Sequence, residues 1–262
     1  MKVVILAGGF GTRISEESHR KPKPMVEIGE NPILLHIMKY FASYGHTEFI
    51  ICAGYKQQII KEWFAGYFIN TSDVTFDLRQ KDGVFVHRSA AEPWRVTVAD
   101  TGLGTMTGGR LKRIGAYLEN QPFFLTYGDG VADIDLQAEL AFHRAHGKLA
   151  TSAAVHPDSR FGVLDLQGER VCAFREKSEA DSGWVNGGYM ILQPEVLSYI
   201  QDDFTVFEEE PLCRLAAEGE LMAYRHSGFW QCMDTMRDRA HLESLLATGK
   251  APWVRKEQAT NV

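Results

Sequence analysis

Short runs of consecutive apolar residues alternate along the chain with segments whose apolar residues recur every three or four positions. That alternation is the pattern of strands buried on both faces and of the helices that cover them. Lys2-Val-Val-Ile-Leu-Ala7 reads as a first strand and Glu48-Phe-Ile-Ile-Cys-Ala53 as a second, closed by Gly54. Between them Pro22 and Pro24 exclude a regular helix until Asn31. Asn31 is placed to cap a helix that has Pro32 at its first position and Ile33, Leu34, Ile37, Met38 and Phe41 on its apolar face. Ile59, Ile60, Trp63, Phe64 and Tyr67 predict another helix, and from Val74 to Val98 the period changes to two, which predicts strands at or beyond a sheet edge.

A helix over 109–118 and a strand over Phe123–Tyr127 follow, the strand running into Gly128-Asp129-Gly130. The remainder predicts helices over 136–146, 207–218 and 236–246, with strands over 151–155, 163–166, 171–174 and 185–192. Asp135 is expected to cap the first of these helices. Gly187-Gly188 inside the last strand marks a bulge or a close approach. The order predicts an α/β fold: a Rossmann-like mixed, mainly parallel sheet flanked by helices, with an additional β region in the C-terminal half. No repeat, low-complexity tract or linker interrupts it, so residues 1–262 are expected to form a single domain.

Charge and cysteine usage narrow the possibilities. The 34 acidic and 28 basic side chains leave a formal charge of −6, which argues against a nucleic-acid-binding surface. Cys52, Cys172, Cys213 and Cys232 form no C-x-x-C pair, so neither a thiolate zinc site nor a redox motif is indicated and a reducing cytoplasm is expected. The apolar run Val3–Ala7 is too short for a signal segment or a membrane span. His143 and His146 are expected on a solvated helix face.

The loop Gly8-Gly-Phe-Gly-Thr-Arg13 lets backbone N–H groups approach a phosphate closely. It is neither a Rossmann fingerprint, because the third glycine position is Ile14, nor a Walker A, because no Gly-Lys-Ser/Thr follows. Arg13, Lys21 and Lys23 lie within about ten residues of that backbone nest, an arrangement that suits a triphosphate better than a dinucleotide. A tight turn with exposed basic residues is the plainer alternative.

Leu6-Ala-Gly-Gly-Phe-Gly-Thr-Arg13 with Lys21-Pro-Lys-Pro-Met-Val26 resembles the signature of the sugar-1-phosphate nucleotidyltransferases. Asp100-Thr-Gly102, Met106 to Arg113, Thr126 to Asp133, Asn186-Gly-Gly188, Gly228 to Gln231 and Met233-Asp-Thr235 extend the resemblance, toward the cytidylyl-transferring branch that makes CDP-glucose. It implies CTP and glucose 1-phosphate as substrates, Mg²⁺ as cofactor, a homo-oligomer, and a role in deoxysugar and O-antigen precursor synthesis. The half up to about residue 135 would bind nucleotide and the half from about 136 the sugar phosphate. UTP or dTTP chemistry, a glycosyltransferase and a non-catalytic binder stay as alternatives.

On the same resemblance Arg13 and Lys23 would be catalytic, and Asp129 and Asp234 would hold the metal. The nucleotide would lie against Leu6, Ala7, Gly8, Gly9, Phe10, Gly11, Thr12, Gly104, Thr107, Gly108, Gly109 and Gly128. Thr107, Gly108 and Gly109 open a helix, so their N–H groups are expected to be free for the base, and Thr107 can equally cap that helix. Glu176, Lys177, Asn186 and Gly187 would take the sugar phosphate; Ser178 stands where the family has proline. Lys21 reads better as a solvated base, and Trp230 as a sugar platform or a core residue.

Overall fold

In the computed structural model, residues 1–11, 19–156, 163–167, 170–175 and 183–255 are described. Strand β1 (Lys2–Ala7) leads through the short strands β2 (Glu27–Ile28) and β3 (Asn31–Pro32) into helix Ile33–Ala42 and strand β4 (Glu48–Ala53). Helix Gln57–Asn70, a hairpin of β5 (Ser72–Phe76) and β6 (Val84–Ser89), and strand β7 (Arg95–Asp100) complete the first half of the sheet. After helices Thr107–Arg113 and Gly115–Leu118 come β8 (Phe123–Tyr127), β9 (Gly130–Ala132), helix Leu136–His146 and β10 (Ala150–Val155). The chain ends with β11 (Val163–Gln167), β12 (Arg170–Arg175), β13 (Val185–Leu192), helix Glu210–Ala217, β14 (Leu221–Arg225), β15 (Trp230–Cys232) and helix Met236–Ala247.

Seven strands form the central sheet, in the order β14-β10-β13-β8-β1-β4-β7. Pairs β1/β4, β1/β8, β4/β7 and β10/β14 are parallel, while β13 runs antiparallel to both of its neighbours, giving the mixed, mainly parallel sheet expected. Alternation explains the unbroken apolar run of β1: Val3, Ile5 and Ala7 join one core with Ile33, Ile37 and Phe41, and Val4 and Leu6 join another with Leu111 and Phe207. From β1 the chain first builds outward to β4 and β7, then returns to place β8 on the other side of β1. That reversal falls at β1 and β8, and by the general rule for open α/β sheets a ligand crevice is expected beyond their carboxyl ends.

Several local expectations change. Asn31 and Pro32 are strand rather than cap and first turn; the helix begins at Ile33 without a side-chain cap, because Asn31 pairs with Ile28. The helix expected over 109–118 breaks at Ile114 into two. His143 and His146 are not on a solvated face: both bond to Thr151 Oγ1, at 2.8 and 2.7 Å, and His143, which also meets Gln193, is buried. Burial pushes the His143 imidazole down to about 4, so it is a neutral core group. Asp135 caps its helix as expected, accepting from Gln137 and Ala138 N–H at 3.0 Å each. The edge strands are also as read: β7 borders the sheet and β5–β6 stands apart from it.

One buried carboxyl stands out. Glu139 is fully buried, and neither of its oxygens has a hydrogen-bond partner among the described residues. Burial raises its pKa well above the ordinary 4.5, so the folded protein holds a proton there that the unfolded chain releases. Stability from this group is present below pH 4.5 and is lost as pH rises toward the folded value. Glu139→Gln removes this dependence. Relative to that variant, the parent is expected to lose up to about 1.4 kcal/mol per pH unit above pH 5 until the carboxyl ionises. Urea denaturation of both proteins from pH 5 to 8 checks it, and a pH-independent difference would contradict it.

Candidate active site

The site is built where the Lys23 turn meets two aspartates brought together by a small ribbon. Pro22 and Pro24 flank Lys23 in a tight turn closed by Met25 N–H to Pro22 O at 2.8 Å and Val26 N–H to Lys23 O at 3.0 Å. Met25 and Val26 anchor it in the core. Gly128 N–H continues the β1/β8 ladder to Leu6 O at 3.0 Å. A Cβ on Gly128 would lie 2.8 Å from Pro24 Cγ and 3.1 Å from Leu6 O, so glycine here lets the proline turn close onto the end of β8.

Asp129 follows directly. Strands β9 and β15 pair antiparallel with Gly130 opposite Cys232, which brings Asp129 and Asp234 to the same end of the ribbon; Met233 N–H adds a bond to Asp129 O at 2.8 Å. Asp234 is held from below by the start of helix Met236–Ala247. Buried Asp238 accepts from the N–H groups of Asp234 and Thr235 at 3.1 and 2.8 Å, while Thr235 Oγ1 accepts from Asp238 N–H at 3.2 Å, completing a capping box.

Lys23 Nζ lies 2.6 Å from Asp129 Oδ2 and 2.6 Å from Asp234 Oδ1. Its side chain is 11% exposed, against 29% and 25% for the two aspartates, so the ammonium is the least exposed of the three groups. Burial alone would lower the Lys23 pKa; the two carboxylates outweigh it and hold the ammonium above its ordinary 10.5. Cys232 Sγ donates to Asp234 Oδ2 at 3.5 Å, and burial together with the carboxylates pushes that thiol up to about 12. It is a donor here and no thiolate nucleophile.

Two convergent hard-oxygen donors fit a magnesium-type cation, which keeps much of its coordination for water and phosphate. Among the described residues no group of three or more His, Cys, Asp or Glu side chains is close enough to hold an ion by itself. Asp129 and Asp234 would be the two protein ligands.

The glycine loop beyond β1 is fixed by an arginine. Arg110, 5% exposed, donates to Gly8 O at 3.0 Å, Thr101 Oγ1 at 2.7 Å and Gly102 O at 2.8 Å, with longer bonds to the carbonyls of Ala53 and Leu103. A Cβ on Gly8 would collide with the guanidinium. A Cβ on Gly9 would meet no described residue within 4 Å, Gly11 takes φ +64°, and Phe10 is half exposed against the Tyr55 ring at 5.3 Å. Leu6 and Ala7 are buried at the end of β1, and Gly104 is in an exposed stretch before the helix that carries Arg110.

Other expectations fare differently. The N–H groups of Gly108 and Gly109 are not free: both point at Thr205 O, at 3.0 and 3.4 Å, and a Cβ on either would meet backbone of Thr205 or Asp203. Their smallness serves packing against segment 203–205. Thr107 does not cap its helix; Met106 holds that position, and Thr107 Oγ1 donates to Glu208 at 2.5 Å. Asn186 accepts from Gly188 N–H at 2.8 Å and Ser152 Oγ at 3.1 Å across an irregular register, and Gly188 has φ +74°, so the glycine pair marks a bulge. Trp230 donates to Gly187 O at 2.7 Å and packs against the core, and Lys21 pairs with Glu27 at 3.1 Å. Thr12, Arg13, Glu176 and Lys177 lie outside the described residues.

Residues 2–231 match the family model for nucleotidyl transferases. The chain belongs to the nucleotidyl transferase family. Among relatives of this family, the glucose-1-phosphate cytidylyltransferase of Salmonella typhi is 55% identical over 97% of this chain and 98% of its own. The probable glucose-1-phosphate cytidylyltransferase of Bacillus subtilis is 40% identical over 97% and 99%. HddC from Yersinia pseudotuberculosis shares the fold, with a TM-score of 0.67, 24% identity and coverage of 94% of this chain and 99% of that one. A putative glucose-1-phosphate thymidylyltransferase from Bacillus anthracis superimposes with a TM-score of 0.66 at 18% identity over 98% of both chains.

Sequence reasoning gave Arg110, Asp238 and Glu208 no role of their own. Arg110 stands directly after Gly108 and Gly109, and Asp238 stands three residues after Thr235, the spacing of a capping box. For the nucleotidyl transferase the arginine clamp yields a test. Arg110→Lys keeps the charge but loses the forked donors. It is expected to lower stability by about 2 kcal/mol and to weaken nucleoside triphosphate binding more than sugar phosphate binding. Urea denaturation and titration calorimetry check both, and an unchanged protein would show that the Gly8 loop needs no clamp.

Proposed function

We propose that the chain transfers the cytidylyl group of CTP to glucose 1-phosphate, giving CDP-glucose and pyrophosphate. The relatives at 55% and 40% identity along nearly the whole chain support both substrates, and the bridging of Lys23 to Asp129 and Asp234 is the observation that carries the chemistry. A phosphate oxygen of glucose 1-phosphate attacks the α-phosphorus of CTP in line; the bond from that phosphorus to the bridging oxygen breaks, and its electron pair leaves with pyrophosphate. No covalent enzyme intermediate is needed, so catalysis rests on positioning and charge.

Lys23 stays protonated and meets the phosphate oxygens where charge builds. Arg13 is assigned to the leaving β- and γ-phosphates. A divalent cation, which we take to be Mg²⁺, supplies further charge neutralisation when bound by Asp129 and Asp234. Arg110 holds the backbone of the glycine loop against the nucleotide, and Asp238 fixes the direction of Asp234. Glu176, Lys177, Asn186 and Gly187 are assigned to the sugar phosphate, the Asn186 side chain being exposed at the carboxyl end of β10, with which it pairs.

Deoxysugar and O-antigen precursor synthesis is the role such a product serves. A reducing cytoplasm suits Cys52, Cys213 and Cys232, which are free, and no helix among the described residues is long and apolar enough to cross a membrane. A homo-oligomer suits the β5–β6 hairpin, which leaves Phe76, Val84 and Phe85 about half exposed and Leu78 almost wholly so.

Pyrophosphate release with glucose 1-phosphate, Mg²⁺ and each of the four nucleoside triphosphates tests the reading. CTP is expected to give the fastest release; release with UTP and none with CTP would overturn the base assignment, and none with any would favour a binder. In the same assay Lys23→Ala is expected to lose about 3 kcal/mol of transition-state stabilisation, on the order of a hundredfold in kcat. Lys21→Ala is expected to stay within about twofold, since an exposed pair with Glu27 contributes little.

A further inference from the structure

Glu208 accepts hydroxyl protons from two separate elements. Thr107 Oγ1, at the start of the Arg110 helix, donates to Glu208 Oε2 at 2.5 Å, and Tyr127 Oη, at the end of β8, donates to Glu208 Oε1. With both oxygens engaged, the carboxylate cannot turn to release either donor. The Tyr127 ring is itself locked, because it lies against Gly188 where a Cβ would collide with it. Thr107 Oγ1 also accepts from Phe207 N–H at 2.9 Å. Its proton and one lone pair are thereby committed, which leaves one lone pair and no proton to offer a ligand.

Thr107 and Arg110 are three positions apart on one helix, on the same side, and Arg110 reaches Gly8 O at 3.0 Å. Thr107, half-buried, therefore stands one helical turn before the arginine that holds the Gly8 loop. We infer that Glu208, acting through Thr107, selects the base: a hydroxyl fixed as acceptor matches the exocyclic amine of cytosine and opposes the carbonyl that uracil and thymine carry at the same ring position. Glu208 is a positioning residue here, and Thr107 is the group that touches the base. This deepens the CTP assignment made above and rests on it.

The test is the ratio of kcat/KM with CTP to that with UTP, at saturating glucose 1-phosphate, in the parent and three variants. Thr107→Val keeps the shape and removes the acceptor, and it is expected to reduce the ratio by about tenfold or more. Glu208→Gln lets an amide N–H donate to Thr107 and turn its proton outward, so the ratio falls similarly. Thr107→Ser retains the hydroxyl and is expected to keep the parent ratio within about twofold. A merely structural role for the Glu208 network would lower both nucleotides in parallel and leave the ratio unchanged; that result overturns the inference. Thermal melts identify a Glu208→Gln protein that fails to fold, and Thr107→Val then decides. A parent without preference for CTP would sink the proposed function itself, whereas a parent with that preference and a Thr107→Val variant that keeps it would sink only this inference.

Discussion

One ammonium held between two carboxylates sets the terms for everything around it. Lys23 meets Asp129 and Asp234 at 2.6 Å each from three separate parts of the chain. A buried cation with a carboxylate on either side is costly to assemble and more costly to leave half made, because removing one partner strands a charge in a poorly solvated place. The surroundings are arranged to keep it complete. Pro22 and Pro24 restrict the Lys23 turn, Gly128 lets that turn seat, the β9/β15 ribbon brings the aspartates to one end, and Asp238 ties down the backbone of Asp234.

The sheet explains why these parts can meet. Strands β1 and β8 are neighbours although more than a hundred residues separate them, and both end at the crevice. What leaves β1 is the glycine loop, and what leaves β8 is Gly128-Asp129. A reversal of strand order beside β1 therefore brings the glycine loop and the Asp129 carboxylate to the same end of the sheet, each carried on a rigid strand.

Much of this was legible in the residues. Consecutive apolar residues marked the buried strands, and the Asp135 cap and the Phe123–Tyr127 strand fell where the pattern placed them. Lys23, Asp129 and Asp234 stand out in the sequence through a resemblance to the family that the matched residues 2–231 bear out. What the pattern missed depends on tertiary contact. Gly108 and Gly109 read as open ground for a ligand, but smallness says only that something comes close, and here it is the 203–205 backbone. His143 and His146 read as solvated because helical spacing does not reveal that Thr151 waits on the neighbouring strand. Arg110 reaches Gly8 and Glu208 meets Thr107 across about a hundred residues of sequence, contacts that the spacing of apolar residues does not reveal.

The central claim is that Lys23 and its two aspartates work as one unit in the transition state. A double-mutant cycle on pyrophosphate release with CTP and glucose 1-phosphate, using Lys23→Ala, Asp234→Asn and the two together, tests it most directly. Strong non-additivity is expected, the double variant losing little more than the worse single one. Losses that simply add would mean that the ammonium and the carboxylate serve the reaction independently, and would contradict it.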